Sequence, residues 1–269
     1  MSAMNAAVGM NVPSLSANTA IALFYGLHNF TYEGGPALAY ITITGASASD
    51  QSQILNQANL DPGMQAQTTK ALTTAFENGV DMYMYYIGVQ NSLWGATPDV
   101  LDLDAPKFAA LKGLAGQMIT RETGTSLPGS IPTSPVTFGV LSDGTLRPTY
   151  EATGWYCSQA SGTSPAHCSV NGSVPDGTGL VYLVNASKAG SYSATLVLDT
   201  AQGSSASSVG LDVDGKSAGT FSIPQKPAGQ SLTVGPLAVS LTAGLHIIAI
   251  KSANTAQGFS IDSINFTSQ

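Results

Sequence analysis

Gly190-Ser-Tyr-Ser-Ala-Thr-Leu-Val-Leu198, Val213-Asp-Gly215, Leu241-Thr-Ala-Gly-Leu-His246 and Phe259-Ser-Ile-Asp-Ser-Ile-Asn-Phe266 follow one another in order. Apolar and polar residues alternate along these stretches, and Asp214-Gly215 spells a two-residue hairpin. A period of two turns one face of each strand to a core and the other to water. Everything beyond about residue 148 reads as short strands between Gly, Asp and Asn turns, so this half is all-β. Gly210-Leu-Asp-Val-Asp-Gly-Lys-Ser217 also satisfies the P-loop spelling. A P-loop needs a helix that begins at its lysine, whereas this lysine follows a hairpin turn, which sets nucleotide binding aside.

The first half has a different rhythm. Residues 1–20 are small and polar without a clear period and read as an irregular lead-in. Leu23 to Tyr32 reads as a buried strand that empties into a loop at the Gly34-Gly35-Pro36 breaker. After a polar loop, Asp61 caps a helix with Pro62 at its first position, continuing over Gln65 to Glu77 and closed by Asn78-Gly79. Val80 to Ile87 is a near-continuous apolar run, the pattern of a parallel strand buried on both faces. Asp104-Ala-Pro-Lys opens a second helix. Strand, helix, strand, helix is the order of an α/β barrel or an open parallel sheet. Pro128, Pro132 and Pro135 among Gly, Ser and Thr then form a linker-like stretch. The reading is multidomain, α/β plus all-β: residues 1–125, a linker over 126–148, and 149–269.

Composition bounds the function. Only 9% of the 269 residues are charged, and Gly, Ser, Thr and Ala are abundant, as in secreted β-rich proteins. A formal charge of -7 and nine scattered Lys and Arg, none before Lys70, argue against nucleic acid. No stretch approaches the roughly eighteen apolar residues that span a membrane. The apolar run Ala20 to Tyr25 has no positively charged leader before it and does not read as a signal peptide. Cys157 and Cys168, eleven apart in a Ser/Gly-rich loop, suit a local disulfide in an oxidising compartment, with two separate thiols as the alternative.

Tyr32-Glu33-Gly-Gly, Asn59-Leu-Asp-Pro-Gly, Asp81-Met-Tyr-Met-Tyr-Tyr-Ile and Leu93-Trp94-Gly-Ala resemble the last two β/α units of clan-A-type glycoside hydrolase barrels. The resemblance covers about residues 22 to 118 and implies a partial (β/α) barrel. It maps the carboxylate nucleophile of a retaining enzyme onto Glu33 and a sugar platform onto Trp94, with Tyr32 and Tyr85 as further substrate-binding candidates. A retaining glycosidase pairs its nucleophile with an acid about 5 Å away. In the resembled family that acid sits on the fourth strand, and no residue of this chain occupies the position. A full barrel takes about 250 residues. Glu33 reads alternatively as a loop carboxylate capping Gly34 and Gly35; Asp99, Asp102 and Asp104 read as capping residues. Tyr83, Tyr85 and Tyr86 read as barrel core, and His28 as a satisfied buried histidine.

Tyr150-Glu-Ala152, Val181-Tyr-Leu-Val-Asn-Ala, Ala189-Gly-Ser-Tyr192, the Asp214-Gly215 hairpin and Ile261-Asp262-Ser-Ile264 resemble carbohydrate-binding modules of families 6 and 35, over about residues 149 to 267. The resemblance implies a jelly-roll-type β-sandwich. It maps a structural calcium onto Glu151 and Asp262, whose hard oxygen donors suit that ion; no other cofactor is implied. Among aromatic ligand contacts, Tyr182 and Tyr192 sit within strands and read as core, while Trp155 and Tyr156 in the cysteine-bearing segment are the better candidates. Together the readings lead to a secreted, polysaccharide-directed glycoside hydrolase. The alternative is a non-catalytic glycan-binding or structural protein derived from a truncated barrel. Open sheet edges in such a barrel lead to an expected homo-oligomer.

Overall fold

The computed structural model describes residues 2–35, 42–90, 94–132, 138–147, 153–158, 161, 167–170, 174–200, 207–253 and 258–269. The chain divides into two compact units, Met1–Thr19 with His28–Glu122, and Ala20–Leu27 with Thr123–Gln269.

The first unit is α/β. Helix α1 spans Ser2–Phe24, strand β1 Phe30–Gly34, helix α2 Ala48–Asn59, helix α3 Gly63–Glu77, strand β2 Met82–Tyr85 and helix α4 Pro106–Leu114. The alternation of strand and helix is therefore present, and β1 and β2 pair in parallel, Phe30 opposite Met82 and Thr31 opposite Tyr83. Three local readings change. Residues 2–20 are helical rather than irregular. The segment Leu23 to Tyr32 is a helix end, a turn and then the start of β1, not one strand. The polar loop contains α2, whose N-cap Ser47 accepts from the Asp50 amide at 3.2 Å, a capping signal present in Ser47-Ala-Ser-Asp50. Asp61 accepts from the Gly63 amide at 2.8 Å, but the N-cap of α3 is Pro62, one residue later than expected, and the helix begins at Gly63. Gly79, with φ +91, closes α3, and a side chain there would collide with Thr19, whose hydroxyl donates to the Asn78 carbonyl at 2.6 Å.

The run Val80 to Ile87 is not buried on both faces. Tyr83 and Tyr85 are half-buried, with Phe76 of α3 6.4 Å from the Tyr83 ring, while Met82 and Met84 are 51% and 43% exposed. A two-stranded sheet covered by helix on one side leaves the alternate side chains in water.

The second unit is a β-sandwich. Its strands are β3 Thr125–Leu127, β4 Gly129–Pro132, β5 Phe138–Val140, β6 Leu146–Arg147, β7 Trp155–Ser158, β8 His167–Val170, β9 Gly179–Ala186, β10 Gly190–Asp199, β11 Ser207–Val213, β12 Lys216–Ile223, β13 Ser231–Leu241, β14 Gly244–Ser252 and β15 Ser260–Ser268. β3 to β6 lie in the stretch read as a linker: Pro128 and Pro132 sit after or at the end of short strands, where a missing amide costs little. One sheet runs β13-β10-β15-β8-β7 with β4 also on β15; the other runs β12-β11-β14-β9-β5-β6 with β3 also on β9.

The core lies between the sheets. Tyr192, Ala194, Leu196 and Leu198 of β10 face Tyr182, Val184, Ile248 and Ile250 of the other sheet in one buried cluster. Each comes from the apolar set of an alternating strand, as the period of two requires. Tyr182 and Tyr192 are core residues. β11 and β12 meet at Asp214-Gly215 with φ of 49 and 74, the paired positive values of a two-residue hairpin. Asp212 of this sheet pairs with Lys251 at 2.7 Å.

Candidate functional site

In the first unit Glu33 is exposed at the C-terminal end of β1. The register slips between Thr31 and Gly34, so Tyr32 and Glu33 together oppose one residue of β2. Tyr32 points into solvent at 83% exposure, while Glu33 lines a cleft of about 240 Å³ with Asn11, Ser14, Asn18, Thr31 and Tyr83. Among the described residues no second carboxylate lines that cleft, and neither Trp94 nor Tyr85 does. Trp94 instead stands edge-on to Tyr86, ring centres 6.1 Å apart. Burial pushes the Tyr83 and Tyr85 phenols up, and the Tyr85 hydroxyl has no partner among the described residues. A wider groove of about 600 Å³ follows the flank of α3 past Lys70 and Glu77, away from both strands.

His28 is not a buried histidine. Its side chain is 77% exposed, stacks on Phe30 and lies 3.4 Å from Asp81. Burial acts to raise Asp81, and hydrogen bonds from the Asn29 amide and the Arg121 guanidinium outweigh it, holding the carboxyl below its ordinary range. This cluster ties the chain before β1 to the start of β2. Asp99 accepts from the Leu101 amide at 2.8 Å, a turn-capping contact.

The second unit gathers a different set of groups. β7 and β8 pair Trp155 with Val170, Tyr156 with Ser169, Cys157 with Cys168 and Ser158 with His167. The two cysteines form a disulfide of 2.05 Å. Trp155 turns inward, fully buried, with Phe259 6.3 Å away across an edge-to-face contact. Trp155 is therefore a core residue and not a ligand contact; its neighbour Tyr156, opposite in direction, is 46% exposed.

From Tyr156 a single row crosses the whole sheet. Tyr156 stands opposite Ser169, Ser169 opposite Ser260, Ser260 opposite Asp199, and Asp199 opposite Ser231. Cross-strand partners share a face; Tyr156, Ser169, Asp199 and Ser231 are open to solvent on it, while Ser260 between them is buried and its hydroxyl donates to the Asp199 carbonyl at 3.5 Å. One step along the strands lie Ser158 and His167, 3.1 Å apart through Ser158 Oγ and His167 Nδ1, with Asp262 beyond them on β15. Burial, then the charge of neighbouring Asp199, raises the Asp262 carboxyl, and His167 acts the other way. The arrangement is an exposed phenol ring at the edge of a field of hydroxyls and carboxylates: a ring face for an apolar surface, with donors and acceptors for a hydroxyl-rich ligand.

Ser158, His167, Ser169 and Asp199 were not singled out in the sequence. The signal was available: a Cys157–Cys168 bridge across antiparallel strands fixes the register that sets Tyr156 beside Ser169 and Ser158 beside His167. Glu151, with the strand expected at Tyr150 to Ala152, lies outside the described residues. Among the described residues no three His, Cys, Asp or Glu side chains gather to hold a metal ion. No helix of the described residues is long and apolar enough to cross a membrane.

The other sheet carries an ion pair whose histidine is buried and whose aspartate is half-exposed. Both ring nitrogens of His246 face oxygen acceptors, Nδ1 toward Asp214 Oδ2 at 2.7 Å and Nε2 toward the Thr242 carbonyl at 2.9 Å. A doubly protonated ring satisfies both. The Asp214 hydrogen bond raises His246; burial acts to raise Asp214, and the hydrogen bonds from His246 and the Ile247 amide, with the charges of His246 and Lys216, outweigh it and hold it low.

No family model matches the chain, and no curated protein does. Among solved structures, a carbohydrate-binding module of lichenase 5A from Cellvibrio mixtus, in complex with cellotriose, is 19% identical, with a TM-score of 0.40 over 53% of this chain and 98% of that one. The C-terminal family 6 module of a laminarinase from Zobellia galactanivorans is 15% identical, with a TM-score of 0.39 over 52% and 98%. A family 35 module from Clostridium thermocellum is 15% identical, with a TM-score of 0.37 over 43% and 89%. The neighbours thus cover about half of this chain.

Proposed function

We propose that this protein binds carbohydrate through the outer face of its β13-β10-β15-β8-β7 sheet and does not hydrolyse it. One observation carries the reading: an exposed Tyr156, held by the adjacent disulfide, heads a row of hydroxyls and a carboxylate that spans five strands. Sugar rings present an apolar face to an aromatic ring and hydroxyls to polar neighbours, and this face supplies both. The resemblance of residues 149 to 267 to glycan-binding modules points the same way. The disulfide favours a secreted protein. Titration of a panel of soluble oligosaccharides by calorimetry tests the reading; a panel without any binder ends it.

The hydrolytic alternative has one observation in its favour: Glu33 ends the first of two parallel strands joined through helix, the order expected of a partial (β/α) barrel. Among the described residues its cleft has no second carboxylate of the kind that glycoside hydrolysis requires. Sugar release that is lost in Glu33→Gln, with binding kept, would restore it. The open face of Tyr32, Met82 and Met84 supports self-association, and light scattering at micromolar concentration tests it: a mass of 27.4 kDa counts against an oligomer. The calcium expected at Glu151 and Asp262 is tested by melting with calcium and with a chelator; coincident curves retire it.

A further inference from the structure

The charges of the sandwich are sorted between its sheets. On the β12-β11-β14-β9-β5-β6 sheet, Asp212 has Lys251 and Asp214 has His246. On the other sheet, none of β4, β7, β8, β10, β13 or β15 contains a Lys or Arg; their charged side chains are Asp199, Asp262 and His167. Asp199 stands opposite Ser260, two residues before Asp262 on the adjoining strand, and its charge acts with burial to raise the Asp262 carboxyl. Both belong to the outward face that Tyr156 heads. A face with an exposed aromatic ring, hydroxyls and two neighbouring carboxylates favours a ligand that is hydroxylated and cationic.

We propose that the saccharide bound here carries free, protonated amino groups: a polymer of 2-amino-2-deoxy sugars, such as deacetylated chitin. This rests on the carbohydrate-binding reading above and deepens it. An ammonium between Asp199 and Asp262 relieves their mutual repulsion and makes charge-assisted hydrogen bonds, while a neighbouring ring stacks on Tyr156. A uronic acid in the same place adds a third negative charge and is repelled. An N-acetylated sugar keeps the ring but loses the charge.

The test is calorimetric titration at about pH 7 and low salt, with chelator present, of the full chain against glucosamine, N-acetylglucosamine, glucose and galacturonate tetrasaccharides and a lysine oligomer. The glucosamine tetrasaccharide is expected to bind at least about tenfold tighter than the neutral ones. Asp262→Asn and Asp199→Asn should each remove most of that preference, and Tyr156→Ala should weaken every sugar. Asp143→Asn, which makes the same change of net charge in an exposed turn of the other sheet, should leave the preference intact. Circular dichroism establishes that each variant is folded. Neutral sugars binding as tightly as glucosamine, or a lysine oligomer matching it, would overturn the inference while leaving the carbohydrate reading standing. No sugar binding at all would remove both.

Discussion

Trp155 and Tyr156 are consecutive residues of one strand whose rings lie on opposite faces of the sheet, the indole fully buried against Phe259 and the phenol in solvent. Substitutions at the two positions should therefore separate folding from binding. Trp155→Ala opens a cavity in the core and is expected to cost about 3–5 kcal/mol. Tyr156→Ala removes an exposed ring and should change stability by no more than about 0.5 kcal/mol. Denaturant unfolding of both variants checks this, and equal losses would contradict the assignment of faces.

The Cys157–Cys168 bridge closes a loop of sequence separation 11 at the edge strand that carries Tyr156. Constraint of the unfolded chain by so short a loop is worth about 2–3 kcal/mol. Cys157→Ala/Cys168→Ala should lower the unfolding midpoint accordingly and weaken saccharide binding, because β7 then has only its ladder with β8 to hold its register. Unchanged binding in the double variant would show that the ring does not need the bridge.

His246 and Asp214 make stability depend on pH in a stated direction. His246 is raised, so its contribution is complete below the unfolded value of about 6.5 and is lost as pH rises through the folded value. Asp214 is lowered, so its contribution is present above about 3.8 and is lost as pH falls through the folded value. The pair therefore helps most between those limits. The stability difference between wild type and His246→Gln should be larger at about pH 5.5 than at about pH 8.5. A difference that grows with pH would contradict an imidazolium at this site.

Lys107 of α4 is buried, and burial lowers its pKa to about 8. Between that value and its ordinary 10.5 the unfolded chain holds more protons, so stability rises with pH there and is lost as pH falls. Lys107→Met should flatten that rise. Unfolding of wild type and variant at about pH 7.5 and about pH 10 measures it, and parallel curves would place the amine in water.

The sandwich was legible because its strands alternate: Tyr192, Ala194, Leu196 and Leu198 announce a core face, and Asp214-Gly215 announces its turn. The parallel pair was legible from the aromatic runs around Tyr32 and Tyr83. Helix α1 was not, since Ser2–Phe24 contains no charged residue, carries Pro13 and has apolar residues on all sides, so no stripe marks its buried face. The strands β3 to β6 were hidden by Pro and Gly, which are compatible with short edge segments as well as with linkers. For the site, the aromatic pair Trp155-Tyr156 was visible, but which ring faced outward depended on the disulfide register. The partners Asp199 and Ser260 come from β10 and β15, which join this row only through long-range pairing.

The most direct test of the account is titration of the wild-type chain and Tyr156→Ala with the tightest oligosaccharide of the panel. Affinity reduced at least about tenfold in a variant that keeps its unfolding midpoint is the predicted result, as expected when a stacking ring is removed. Equal affinity of the two proteins would contradict binding at this face.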